Sequence, residues 1–356
     1  MKRGNRLRGS LAQLIGCHVK AYLREPEAVF WTYGFPILMV LGLGLAFRNP
    51  AQVEYRFAFV ESEPALELSR QIPTGTDSDG ESFRFDLVAR AEGLEQLRRN
   101  RIAILVEVTA ESSLVYHFDD ANPDSRTARL AVDNLLQSLL GRRDAATVRE
   151  ERVDTPGSRY VDFLVPGLIG MNLMGGGIWG VGFVLVDMRV KKLLKRLIGT
   201  PMPRYQLLLS LVGSRGIFFL PEGFVLVVAA YLIFQVPILG SVFSLAVMML
   251  VGALCFTGLG LLIASRARRL EVVSGLMNVV MLPMWLCSGI FFSAERFPDW
   301  MQPAVQILPL TQLINALRAI MLDGASLQQQ LLPLAVLAAW GGISFLLAFF
   351  WFRWSD

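Results

Sequence analysis

Six long apolar runs, Ala28–Phe47, Phe163–Val186, Leu207–Phe234, Gly240–Ser265, Val272–Phe292 and Leu331–Phe352, decide the environment in which this chain folds. At a rise of about 1.5 Å per residue, each is long enough to cross the hydrocarbon core of a bilayer. Backbone amides and carbonyls find no water there, so each run is expected to be a helix that satisfies its own hydrogen bonds. Only 18% of the 356 residues are charged and 53% are hydrophobic, whereas a soluble domain carries about a quarter charged residues. The expected fold class is a mainly α integral membrane protein with six transmembrane helices, the first over residues 28–47.

The formal charge of +4 does not point to nucleic acid, because the basic residues cluster beside the apolar runs. Lys2–Arg24, Arg189–Arg204, and Arg266 with Arg268 and Arg269 all fall on one side if the N-terminus is cytoplasmic, as the retention of Lys and Arg on that side requires. Both termini are then cytoplasmic. The first run is expected to remain as an anchor rather than to be cleaved as a signal peptide, since its basic lead is long and no A-x-A site follows. Before it, residues 1–27 read as an interfacial amphipathic helix: Leu7, Leu11, Leu14, Val19 and Tyr22 recur at helical spacing against Arg6, Arg8, Lys20 and Arg24. Pro26 predicts a break before the span.

Residues 48–160 are densely charged and hold no run long enough to span. On the topology above they form an extracytoplasmic α+β domain between the first and second spans. Tyr55–Phe59 and Phe83–Leu87 alternate like half-buried strands, Ile102–Val108 suits a central strand, and Leu114–Phe118 is expected to pair next. Val132, Leu135, Leu136, Leu139 and Leu140 form an apolar helix face to pack on that sheet. Thr74–Gly80 reads as a loop, with too few carboxylates for calcium. Cys17 precedes the first span, and Cys255 and Cys287 lie within later ones; neither a disulfide framework nor a metal site is expected. His18 and His117 fall on opposite sides of the membrane and cannot share a catalytic site.

Between the second and third spans, Asp187–Arg204 reads as a short amphipathic helix. Val190, Leu193, Leu194, Leu197 and Ile198 line one face, opposite Arg189, Lys191, Lys192, Lys195 and Arg196. Gly199 is placed to close it, and Thr200-Pro201-Met202-Pro203 to stop it. On periodicity alone such a helix rests on lipid headgroups.

Together with Val165-Pro166-Gly167, this segment resembles the corresponding region of ABC-2 type transporter permeases. Ser288-Gly289-Ile290-Phe291-Phe292, Pro298-Asp299-Trp300, Leu308-Pro309-Leu310-Thr311 and Leu317-Arg318 are similar to the family's region before its last span, as Arg24-Glu25-Pro26 is to its entry motif. Asp119–Pro123, ahead of the amphipathic helix in the external domain, is similar to long-loop bacterial members. The family's acidic run at the end of the second span is reduced here to Asp187. The resemblance implies that residues 187–204 are a coupling helix docking on an ABC ATPase, with Arg189, Val190, Leu193, Leu194, Leu197, Thr200 and Pro201 as its contacts. It also implies a re-entrant or helical external segment over 293–327 and a place in a bacterial plasma (inner) membrane.

A phosphate loop needs Gly-Lys-Ser/Thr, and no Gly-Lys pair occurs in the sequence. No cofactor is therefore expected on this chain; ATP enters through the partner subunit. Gly175-Gly176-Gly177 lies inside a span and reads as close helix packing, with Gly176 and Gly180 forming a small-residue face. In the third span Arg215 and Glu222 are seven residues apart on one helix face. Either Arg215 snorkels to the interface while Glu222 meets a neighbouring helix, or Glu222, beside Pro221, faces the substrate path. The reading as a whole is the permease subunit of an ATP-driven exporter, a homodimer or paired with a paralogous permease. Its substrate is left open among amphiphiles, lipids, cations and glycans. The alternatives are a membrane scaffold presenting an external partner-binding domain, and an ion-coupled secondary transporter.

Overall fold

A computed structural model describes residues 2–46, 54–72, 82–109, 113–142, 157, 159–198 and 204–352, with the side chains of 2–12, 197–198, 204–205 and 207–208 left aside. The chain divides into two compact units, Met1–Arg48 with Asp154–Asp356, and Asn49–Val153.

Helix α1 (Lys2–Leu23) stops at Arg24 and Glu25, and α2 (Pro26–Val29) begins on the proline, where the missing amide hydrogen costs nothing. A π-helical turn, Phe30–Gly34, joins α2 to α3 (Phe35–Ala46), and together they make the first helix of membrane-spanning length, Pro26–Ala46. Helix α1 also packs on α9 (Arg204–Phe234): the Tyr22 and Phe218 rings lie 4.5 Å apart, tilted at 46°, and a Cβ at Gly213 would lie 3.2 Å from Ile15.

The inserted unit consists of β1 (Glu54–Val60), α4 (Glu63–Ser69), β2 (Ser82–Val88), α5 (Arg90–Arg98), β3 (Ile104–Val108), β4 (Leu114–Phe118) and α6 (Pro123–Leu139). The sheet order is β2-β1-β3-β4, with β1 parallel to both neighbours and β4 antiparallel to β3. The four expected strands and the amphipathic helix are all present. Register places Tyr55, Phe57 and Phe59 beside Phe83, Phe85 and Leu87. That face is covered by Ala65 and Leu68 of α4 and by Ala128, Val132 and Leu136 of α6. The opposite face, through Ala58, Leu105 and Val88, packs on Leu94 and Leu97 of α5. Helices α4 and α5 were not expected. Ser62 caps α4 by accepting the Ala65 amide at 3.3 Å, and Gly93 lets α5 approach so closely that a Cβ would lie 2.6 Å from Leu105. Thr74–Gly80 lies outside the described residues.

The remaining helices are α7 (Tyr160–Val190), α8 (Leu193–Ile198), α9 (Arg204–Phe234), α10 (Val242–Ala264), α11 (Leu270–Cys287), α12 (Gln302–Ile307), α13 (Pro309–Met321) and α14 (Leu331–Trp351). Among the described residues six helices are long and apolar enough to cross a membrane: Pro26–Ala46, Tyr160–Val190, Leu209–Phe234, Val242–Ala264, Leu270–Cys287 and Leu327–Trp351. Two boundaries differ from expectation. The fifth span ends at Cys287 rather than Phe292, because Ser288 leads into Gly289 at φ +78° and the chain turns. The second runs on to Val190, so Asp187–Val190 belong to it and not to a separate helix.

At the centre of this unit α7 and α10 cross without side chains between them. A Cβ at Gly177 would lie 2.7 Å from the Cβ of Phe256, and one at Gly260 would lie 2.7 Å from the Ile178 carbonyl oxygen. Helix α14 meets the other side of α10 in the same way: a Cβ at Gly341 would lie 3.1 Å from the Cys255 Cα. Apolar side chains gain nothing by leaving lipid for protein, so close backbone packing through small residues must hold such helices together. Gly260→Val is expected to lower the melting temperature of the detergent-purified chain by about 3 °C or more. Gly175→Ala, whose methyl meets nothing within 4 Å, should leave it unchanged in the same fluorescence-monitored melt.

Candidate functional site

The stretch expected to be one amphipathic helix is broken. After Val190 the chain turns through Lys191 and Lys192, the latter left-handed at φ +57°, and α8 begins at Leu193. The break separates residues that periodicity had placed on one face. Val190 and Leu193 are exposed, at 49% and 37%, whereas Leu194 is 3% exposed and belongs to the core of its own unit. Lys191, Lys192, Lys195 and Arg196 are exposed around them. Lys191 Nζ lies 2.7 Å from Asp187 Oδ2, and this hydrogen bond raises the ammonium above its ordinary pKa. Leu197 is in α8; Thr200 and Pro201 lie outside the described residues.

Arg189 is turned inward. Its guanidinium donates to the carbonyls of Ala264 at 3.0 Å and Ser265 at 3.2 Å, and also to that of Ala267, while the Phe352 ring lies 5.4 Å away. The last carbonyls of a helix lack intrahelical donors and carry the negative end of its dipole. Arg189 therefore ties the end of α7 to the end of α10.

Arg215 and Glu222 do share a face of α9, and they pair with each other. Arg215 Nη2 is 3.1 Å from Glu222 Oε1, with the two side chains 8% and 0% exposed. Neither carboxylate oxygen has a well-aligned hydrogen bond, so the contact is one of charge at short range. Arg215 Nε donates to the Gly176 carbonyl at 3.0 Å, and the guanidinium carbon lies 5.2 Å from the Tyr22 ring and 6.0 Å from that of Phe219. Gly176 and Gly180 make room for this group: a Cβ at Gly176 would fall 2.8 Å from both Arg215 Nη2 and Glu222 Oε2, and one at Gly180 would overlap Arg215. Their expected role in packing two helix backbones thus belongs to Gly177 instead. Arg215 is buried against Glu222 rather than exposed.

A third arginine, not singled out as a site residue from sequence, organises the segment before the last span. Arg318 Nε and Nη2 each donate to the Phe163 carbonyl at 3.2 Å, Nη2 also to that of Gly289, and the guanidinium lies 3.6 Å from the Phe163 ring centroid. The Leu308–Thr311 motif starts α13 with Pro309 in its first turn and Leu310 and Thr311 fully buried. Gly170 of α7 accepts that helix closely: a Cβ there would lie 2.8 Å from Ile314. The only sequence signal for Arg318 was its place in the resemblance.

A bilayer-length helix bundle with an α+β unit inserted after its first span is the architecture of a multi-pass membrane transport protein. Residues 27–350 match the model of the ABC-2 family transporter proteins, and the chain belongs to that family. It is similar to ABC transporter G family member 20 of Dictyostelium discoideum, 29% identical over 56% of this chain and 28% of that protein. The inner membrane transport permease YadH of Escherichia coli K12 is 26% identical over 46% of this chain and 64% of its own length. For the inner membrane transport permease YhhJ of the same strain the values are 25%, 48% and 46%. The chain thus matches less than two thirds of the length of each of these relatives.

Removing one member of a buried ion pair strands a charge, whereas replacing both with apolar residues is often tolerated. Arg215→Leu is expected to destabilise the purified chain by about 3–5 kcal/mol, and Arg215→Leu combined with Glu222→Leu to recover most of that loss in thermal melts. A single variant as stable as the parent would show that Glu222 has water or another partner.

Proposed function

We propose that this chain is the membrane permease of an ATP-driven exporter, working as a pair and powered by separate ATPase subunits that dock where α7 gives way to α8. The exposed Val190 and Leu193 within a ring of exposed basic residues carry this reading. An apolar pair beside a conformational break, on the side that basic clustering makes cytoplasmic, offers anchors for a groove on a soluble partner. Membership of the ABC-2 family and similarity to permeases of the inner membrane support it, as does the lack of any Gly-Lys phosphate loop in the sequence. ATP acts through the partner and transport through alternating access of the paired spans, in a bacterial inner membrane with the inserted α+β unit outside the cytoplasm. Arg189 serves as the internal tie behind the docking surface, and Arg215 with Glu222 as a fixed pair within the membrane part.

The purified chain is expected to hydrolyse no ATP alone and to form a stable, vanadate-sensitive complex with its cognate ATPase. Leu193→Asp should leave membrane insertion intact and weaken ATPase co-purification by about tenfold or more. Leu194→Asp, at a buried position, should instead reduce the yield of folded chain. Normal transport in Leu193→Asp, with no ATPase crosslinks from cysteines scanned over 190–196, would leave α8 as a helix resting on lipid. Sidedness is read by a cysteine at Ser113, expected to label with an impermeant reagent from outside while one at Arg268 does not.

A further inference from the structure

The α5 face of the inserted sheet is covered at one end only. Ala58, Val88 and Leu105 lie under Leu94 and Leu97 of α5. Glu54, Arg56, Arg84 and Asp86, which strand alternation puts on the same face, are exposed. A cavity of about 330 Å³ opens there, lined by Arg56, Arg84 and Asp86 of the sheet, Gln96 of α5 and Arg101. That is enough room for a small ligand. The lining differs from a merely solvated strand face in how its arginines are held. Arg56 and Arg84 are direct neighbours in the ladder register, a like-charge pairing that works against the sheet. Glu54 bridges them: its Oε2 accepts from Arg56 Nε at 3.0 Å and Nη2 at 2.7 Å, and its Oε1 lies 3.3 Å from Arg84 Nη1. Arg101 is brought alongside by the main chain. Asn100 turns left-handed at φ +56°, the Arg101 amide donates to the Gln96 carbonyl at 2.9 Å, and the Ala103 amide to the Arg56 carbonyl at 2.8 Å.

The donors left over select the ligand. Among the described residues the Arg101 guanidinium has no hydrogen-bond or ion-pair partner, and Arg56 Nη1 and Arg84 Nε and Nη2 are unused by Glu54. Three guanidinium groups outnumber the two carboxylates present, those of Glu54 and Asp86, so an anion is favoured. Planar forks of this kind match the oxygens of a phosphate. The same cavity also holds acceptors. The Asp86 carboxylate has no partner among the described residues, and Gln96, whose Nε2 donates to Glu92 at 3.2 Å, keeps its Oε1 free for a hydroxyl. A bare inorganic anion engages only the first set; a phosphate joined to hydroxyl groups engages both.

We propose that this cavity of the inserted α+β unit binds a hydroxyl-bearing phosphate ester, with Arg56, Arg84 and Arg101 on the phosphate oxygens and Asp86 and Gln96 on the hydroxyls. Glu54 is a positioning residue that holds two of the forks. A soluble glycerol phosphate and the headgroup of a phosphatidylglycerol carry the same chemistry, and the site does not depend on where an ATPase docks. The test uses the full chain in phosphatidylcholine nanodiscs, titrated calorimetrically with glycerol 3-phosphate and, separately, with inorganic phosphate. Saturable binding is expected, tighter for the ester. Arg84→Gln and Arg101→Gln should each weaken it about tenfold or more at an unchanged melting temperature. Arg70→Gln, exposed at the end of α4 on the opposite face of the sheet, should leave it as it was. Asp86→Asn should abolish the preference for the ester over inorganic phosphate. Replacing part of the lipid with phosphatidylglycerol separates the sources: loss of glycerol 3-phosphate binding by competition assigns the site to a lipid headgroup, and undiminished binding assigns it to a soluble ester. Absence of binding, or binding unchanged in both Arg84→Gln and Arg101→Gln, would overturn the site. An ester preference that survives in Asp86→Asn would overturn the assignment of the hydroxyls.

Discussion

The direct backbone contact between α7 and α10 is the feature on which the membrane part depends. Lipid supplies no hydrophobic drive to bring helices together, so association rests on dispersion, which falls off steeply with distance. Gly177, Gly182 and Gly260 remove the side chains that would hold these helices apart. With that contact made, α7 becomes a 31-residue mast to which the other elements attach. Arg318 grips the Phe163 carbonyl near its start, Arg215 the Gly176 carbonyl at its middle, and Arg189 extends from its end to the last carbonyls of α10.

All three arginines bind main-chain oxygens, Arg189 at the end of α10 and Arg215 and Arg318 along α7. Guanidinium suits this role because it presents several donors in a plane and stays charged, and its faces rest on rings: Phe163 for Arg318, Tyr22 and Phe219 for Arg215, Phe352 for Arg189. Arg215 also meets a carboxylate, that of Glu222, on its own helix. These three charges are thus tied to the backbone, with aromatic rings packed beside each.

Much of the architecture was legible in the sequence, because a bilayer tolerates so few solutions. Apolar length located all six spans; alternation located two strands, a continuous β-rich run a third, and Leu114–Phe118 was placed beside it. What escaped is instructive. The fifth run stays apolar through Phe292, so only Gly289 marked the turn that ends the helix. Val190, Leu193 and Leu194 keep helical spacing across a break made by a left-handed lysine, a residue that carries no turn signal. Helix α4 is short, though Ser62-Glu63-Pro64 holds a cap and a first-turn proline; α5 buries little beyond Gly93, Leu94 and Leu97 and so shows no clear period. For the candidate site, spacing put Arg215 and Glu222 on one face, but no pattern in a single helix reveals that their remaining partners lie on α1 and α7.

Lys192 and Arg189 stand three residues apart. At Lys192 the chain turns left-handed, and α8 continues from it for about a turn and a half. Arg189 is a rivet, fixing the end of α7 to that of α10 through separate bonds to three carbonyls. Separating the end of α7 from the end of α10 would break all three of those bonds together.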